Sequence, residues 1–155
     1  EAIARNTDAG LRHYEVSNFA RPGFESRHNM VYWKADEYFA FGPGAASYLN
    51  GVRRTNVRSV VRWINAWLKG ESAIGDSEEL STEEKAREAI MLALRMRQGL
   101  NLAEFERRFG VGLSDLAGNE LQRHVEDGFL VQEAGSLKLT TEGLLIADSI
   151  ICDFL

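Results

Sequence analysis

The sequence predicts an α/β (α+β) chain in two parts. Residues 1–75 read as an incomplete unit of helices and short strands, and residues 78–155 as a small winged-helix-like domain with a β-hairpin. Three observations predict this. The charge balance changes near Gly75: residues 1–77 carry ten Lys/Arg and eight Asp/Glu (+2), residues 78–155 carry eight and fifteen (-7), and together these give the net -5. All three Trp, at 33, 63 and 67, lie in the first part. The second part shows helical hydrophobic spacing, then a short paired pattern around Ala134-Gly135, then helical spacing again.

In the first part, residues 1–9 have helical character and stop at Gly10, a residue suited to a left-handed C-cap. Tyr14-Glu15-Val16-Ser17 is expected to be a strand, and a helix running at once into a strand suggests an αβ step. Phe19 to Arg27 contains Pro22 and Gly23 and is expected to be loop. Tyr38-Phe39-Ala40-Phe41 is a second candidate strand, ending in the turn Gly42-Pro43-Gly44. Val57, Val60, Val61, Ile64 and Leu68 follow helical spacing, and Lys69 to Ser77 is expected to be a linker. Two strands do not make a stable open sheet, so the remaining strands are expected upstream of Glu1. The start at Glu1 rather than Met is what an excised fragment would show.

In the second part, Ser81-Thr82-Glu83-Glu84 has the form of a capping box. The helix after it is expected to bury Ala86, Ala89, Ile90, Ala93 and Leu94. Asn101 should cap a short helix bearing Leu102, Phe105 and Phe109, followed by a turn at Gly110-Val111-Gly112. A third helix is expected from about Ser114 to Asp127 with Leu116, Leu121 and Val125 inward. The stretches at 129–131 and 137–139 should form the hairpin. A last helix after Thr140 should carry Leu144, Leu145, Ala147, Ile150, Ile151 and Phe154.

Composition narrows the function classes. At 45% hydrophobic the chain can build a core, yet its longest apolar runs are too short to cross a bilayer. Glu1 to Gly10 is charged and lacks the apolar centre of a secretory leader. The single cysteine, Cys152, makes no intrachain disulfide; it suggests a reducing compartment and, among apolar neighbours, is expected to be buried. No P-loop, H-E-x-x-H, G-x-S-x-G or cysteine cluster is present, so no catalytic residue is assigned. His124 is expected at the surface of the third helix.

Three constellations could carry chemistry. His28-Asn29-Met30-Val31-Tyr32-Trp33 sets an imidazole, an amide and two large aromatics within six residues. A neutral imidazole ligates iron, and Tyr and Trp can line a flat apolar ligand while offering donors. Such a histidine beside aromatics is also a common core or surface arrangement. Phe41-Gly42-Pro43-Gly44-Ala45-Ala46-Ser47 lets a ligand or another backbone approach closely, and equally suits a tight packing turn. The helix–turn–helix with its wing lacks the cations a nucleic-acid reader needs: Asp115, Glu120, Glu126 and Asp127 oppose Arg123, and Glu133 opposes Lys138. A packing role is expected there, without nucleic acid.

Four segments together resemble the C-terminal region of the oxygen-independent coproporphyrinogen III oxidase family of radical-SAM proteins. They are residues 14–23, the H-N-x-x-Y-W motif at 28–33, the turn at 41–47, and Leu139-Thr140-Thr141-Glu142-Gly143-Leu144-Leu145. The motif at 28–33 is most similar to that of the haem-chaperone branch, HemW. The resemblance implies that residues 1–75 close a partial radical-SAM (β/α) barrel and that 78–155 are the family's helical C-terminal domain.

Further implications follow from the resemblance. Haem or a porphyrin would be the ligand, with His28 on the iron, Asn29, Tyr32 and Trp33 around it, and a recipient apoprotein as partner. S-adenosylmethionine and a [4Fe–4S] cluster would serve the parent protein, with Gly44, Ala45, Ala46 and Ser47 near the former and the cluster ligands outside this chain. Pro43 departs from the pattern and removes a backbone donor there. A cytoplasmic haem chaperone is the expected function. The alternatives are oxidative decarboxylation of coproporphyrinogen III to protoporphyrinogen IX and a winged-helix binding module.

Overall fold

The structure, a computed structural model, describes residues 2–155. The chain forms two compact units: the segment up to Ala35 together with Thr82–Leu155, and the segment Asp36–Ser81. Mixed helix and sheet content agrees with the expected class. Compactness, however, divides the chain differently from composition. The return to the first unit at Thr82 lies close to the charge boundary, but the first 35 residues pack with the C-terminal part. The reason is a long-range backbone bridge: the Val16 amide donates to the Arg95 carbonyl (2.8 Å) and the Arg97 amide to the Tyr14 carbonyl (3.0 Å).

In the first unit, α1 (Ala2–Asp8) leads through Gly10 into β1 (Arg12–Glu15). The expected αβ step is instead a helix feeding a hairpin, because β1 turns at Val16-Ser17 and pairs antiparallel with β2 (Asn18–Ala20). The Glu15 carboxylate is buried in that turn and accepts from the Ser17 amide at 3.1 Å and from the Asn18 side-chain amide. The region expected as loop therefore contributes β2, and its end at Ser26 starts α2 (Arg27–Trp33).

The rest of the first unit follows in order: α4 (Thr82–Leu94), β6 (Leu100–Asn101), α5 (Leu102–Phe109), α6 (Leu113–Glu126), β7 (Leu130–Glu133), β8 (Ser136–Leu139), α7 (Thr141–Leu144) and α8 (Ala147–Cys152). Its antiparallel sheet has the order β6–β8–β7. One helix, a short strand, two helices and a hairpin in that arrangement are the winged-helix layout the sequence predicts. The buried face of α4 is the expected one, Ala86, Ala89, Ile90, Ala93 and Leu94. It meets Leu130, Leu137, Ile150 and Phe154 in one core. Each such Leu, Ile or Phe contributes about 1.5–3 kcal/mol by leaving water. The Asn101 side chain accepts from the Glu104 amide (2.9 Å), as a cap should. The hairpin turn puts Ala134 and Gly135 both at positive φ, the primed geometry that matches strand twist.

Three local expectations need correction. In α6, Ala117 has non-helical angles (φ -148°, ψ 41°), which breaks the helical phase, so Leu113, Ala117 and His124 are buried while Val125 is exposed. The last helix is two, interrupted at Ile146, which leaves Leu145 and Ile146 in solvent. Cys152, expected inside, is exposed at the end of α8.

The second unit is an antiparallel sheet of order β3–β4–β5, from β3 (Ala46–Leu49), β4 (Val52–Asn56) and β5 (Ile74–Glu79), with α3 (Val60–Lys69) between β4 and β5. Ser59 caps α3, accepting from the Arg62 amide at 3.4 Å. The expected strand at Tyr38–Phe41 is only a single bridge from Tyr38 to Tyr48. The expected linker carries β5, whose six residues are all exposed and so show no hydrophobic alternation. No described helix is long and apolar enough to cross a membrane.

Candidate functional site

The motif at 28–33 occupies nearly all of α2. Ser26 starts the helix: its hydroxyl accepts from the Asn29 amide at 3.3 Å. Helical spacing then sorts the motif into two faces. His28 and Tyr32, four residues apart, share the outer face. Their rings meet edge to face at 4.9 Å, and the Tyr32 hydroxyl lies 3.3 Å from His28 Nε2. Met30 and Trp33 turn the other way and pack against the hydrophobic core. His28 is exposed, Asn29, Tyr32 and Trp33 half-buried.

Trp33 is held from above by a cation. The Arg95 guanidinium lies 5.2 Å from its ring centre, within cation–π range, and also pairs with Asp148 at 3.0 Å. The indole N–H is buried and has no hydrogen-bond partner among the described residues. The C-terminal end of α2 is closed by Arg108, which donates to the carbonyls of Lys34 (2.9 Å) and Ala35 (2.6 Å). Sequence reading missed Arg95 and Arg108. They stand 62 and 75 positions after Trp33, and no local pattern links them to it.

Chemically, the outer face offers one metal-seeking imidazole with a phenol beside it. Nε2 engages the Tyr32 hydroxyl, so an iron that took Nε2 would displace that bond and release the hydroxyl for another partner. Among the described residues no group of three or more His, Cys, Asp or Glu forms a metal cluster. A lone imidazole of this kind can supply one nitrogen to a metal whose other ligands come from elsewhere.

The second candidate, Gly44, Ala45, Ala46 and Ser47, lies in the second unit. Gly42 (φ 96°) and Gly44 (φ 71°) flank Pro43 and turn the chain into β3. Most of the turn's polar groups are already engaged. The Gly44 amide donates to the Val57 carbonyl (3.1 Å), the Asn56 amide donates to the Ala45 carbonyl (2.9 Å), and the Asn56 side chain donates to the Gly42 carbonyl (2.8 Å). The Ser47 hydroxyl lies 3.4 Å from the Arg54 carbonyl. What remains for a ligand is close approach over small side chains.

The third candidate, the helix–turn–helix and wing, has its cations taken up. Arg123 pairs with Asp153, Lys138 stands 4.0 Å from Glu133, and Arg107 pairs with Glu104. His124, expected at the surface, is buried against Phe129 and Phe154 with Nε2 2.9 Å from Asp153.

Residues 80–146 match the family described as the HemN C-terminal domain. The heme chaperone HemW of Bacillus subtilis is 34% identical over 146 residues, covering 94% of this chain and 38% of that protein. The heme chaperone HemW of Lactococcus lactis is 33% identical over 155 residues, covering 100% of this chain and 40% of that protein.

The chain is related to the C-terminal region of the HemN and HemW proteins.

The HemW-like similarity extends beyond the bacterial chaperones. The mitochondrial radical S-adenosyl methionine domain-containing protein 1 of Bos taurus is 32% identical over 161 residues. A solved Escherichia coli structure described as the radical SAM enzyme coproporphyrinogen III oxidase (HemN) superposes with a TM-score of 0.76 over 99% of this chain and 39% of its own. Its 17% identity speaks for the shared fold alone. The HemW-related chain spans about two-fifths of the length of the curated relatives it matches.

Proposed function

We propose that this chain is the haem-binding C-terminal part of a HemW-type haem chaperone, which holds haem through His28 and passes it to an apoprotein. The observation that carries the reading is the His28–Tyr32 pair on the outer face of α2, with His28 exposed and Trp33 bracing the opposite face. The naming of the B. subtilis and L. lactis relatives as heme chaperones supports it. Haem is cargo here. His28 would supply an axial nitrogen, Tyr32 and Asn29 would border the ring, and Trp33 would anchor the helix from beneath. Exposure suits a transfer protein, since a ligand that must be handed on has to be reachable.

In this reading, residues 1–75 descend from the closing end of a radical-SAM barrel and 78–155 from the domain that packs on it. A [4Fe–4S] cluster is held by cysteine thiolates. This sequence has one Cys, so its residues do not fit a cluster. S-adenosylmethionine would meet residues 44–47 only through close approach of small groups. The acidic, self-paired helix–turn–helix supports a packing role rather than nucleic-acid binding.

The test is haem titration of the protein and its His28→Ala variant, followed by Soret absorbance. Loss of most binding and of the axial-nitrogen spectrum is expected. An unchanged affinity and spectrum would overturn the reading. Porphyrinogen decarboxylation by the full-length, cluster-loaded parent protein would favour the oxidase function instead.

A further inference from the structure

We infer that Arg108 is a positioning residue for the His28 helix, and that the winged-helix module serves to aim that helix rather than to bind a ligand of its own. The inference rests on the haem-binding reading of α2 and deepens it.

α2 has only seven residues, and none of them is buried. Helices this short do not hold together in water without tertiary support. The Ser26 cap and the half-buried Met30 and Trp33 supply part of that support. The C-terminal end poses a separate problem, because the last carbonyls of a helix have no partner within it. The chain leaves α2 through Lys34 and then Ala35, a non-glycine residue at φ 52°. The carbonyls of these two residues receive both arms of the Arg108 guanidinium. A planar fork on two carbonyls fixes direction as well as distance, and a cation is favoured at a helix C-terminus. Lysine, a single point donor, cannot reproduce the two-armed contact.

Arg108 comes from α5, more than seventy residues later in the chain. Arg95, at the end of α4, covers the Trp33 ring and is itself tied to Asp148 of α8. The module thus grips α2 at its exit and at its inward aromatic. Arg95 is engaged on the Trp33 ring and Arg108 on the carbonyls just past the helix end, and neither hydrogen-bonds His28. Their effect must run through the orientation of the imidazole. Groups hydrogen-bonded directly to a metal ligand change affinity by roughly ten- to a hundredfold when removed, and a residue acting one contact further out is expected at the low end of that range.

The experiment is haem titration of the intact protein as wild type, Arg108→Ala, Arg108→Lys and Arg107→Ala, with thermal unfolding by circular dichroism on each. Arg107 is the control: it neighbours Arg108 on α5 but pairs with Glu104. Arg108→Ala is expected to weaken haem binding by about tenfold and to broaden the ferric low-spin resonance, as a loosely aimed ligand would. Arg108→Lys should recover part of both, and Arg107→Ala should match wild type. Wild-type affinity and spectrum in a folded Arg108→Ala protein would overturn the inference. Should that variant fail to fold, wild-type affinity and resonance in Arg108→Lys would overturn it. Should His28→Ala bind as wild type does, the haem reading itself fails; loss there with no change at Arg108 sinks only the positioning role.

Discussion

The Tyr32 hydroxyl and His28 Nε2 stand 3.3 Å apart on successive turns of α2, so the nitrogen that would seek iron is engaged by a phenol of its own helix. In the proposed haem-binding role, Tyr32 would compete with the metal for that nitrogen. A hydrogen bond this long and this exposed contributes at the low end of the usual net range. Tyr32→Phe should therefore keep haem binding and tighten it by about two- to fivefold, read by Soret titration. Weaker binding in Tyr32→Phe would instead show that the hydroxyl contacts the bound ring.

Gly143 sits in the Thr-Thr-Glu-Gly segment where α7 crosses the β7–β8 end. A Cβ built there would lie 2.1 Å from the Phe129 carbonyl oxygen, a backbone atom that cannot swing away. Gly143→Ala should destabilise the first unit by about 1–3 kcal/mol. Chemical denaturation should show the loss, and a midpoint equal to wild type would contradict this packing.

His124 offers a sharper test of burial. Its Nε2 lies 2.9 Å from Asp153, and its ring is enclosed by Phe129 and Phe154. Asp153→Ala removes that acceptor and with it the Arg123 ion pair at the same oxygen, leaving the buried Nε2 only the Arg123 guanidinium 3.3 Å away, and should cost about 1–3 kcal/mol. Adding His124→Leu removes the under-satisfied imidazole, and the double variant should regain the part of the loss that is not due to the broken Arg123–Asp153 pair. Additive losses in the cycle would show that the pair is not coupled.

Glu104 provides a pH signature. The Arg107 hydrogen bond, helped by the charges of Arg107 and Arg108, holds its carboxyl below the ordinary range against a smaller opposing effect of burial. A carboxylate whose pKa is depressed by folding stabilises the fold above its unfolded pKa, and that contribution fades as pH falls through the folded value. The pair is on the surface, so salt screens it and the effect on stability is small. Carbonyl-carbon NMR of Glu104 should show the depressed titration, and Arg107→Ala should move it back up. No movement would mean the pair does not persist in solution.

The readable parts of the fold were those where one local signal is sufficient. The buried face of α4 follows from its spacing, the Asn101 cap from its residue type, and the β7–β8 turn from Ala134-Gly135. The unreadable parts lacked such a signal. β5 is exposed along its whole length and has no alternation. The Ala117 break in α6 changes which residues point inward, and the buried His124 meets Asp153, 29 positions away.

The winged-helix layout and the family resemblance were legible from residue order, and the resemblance pointed to His28 as a candidate, because spacing, capping chemistry and short motifs are local properties. Only the closed core brings the N-terminal segment up to Ala35 onto the C-terminal module, turns Trp33 inward while His28 faces out, and sets Arg108 on the carbonyls just past α2. Those facts depend on which distant backbone carbonyls and ring faces meet once the core has closed, and local sequence pattern does not record such meetings.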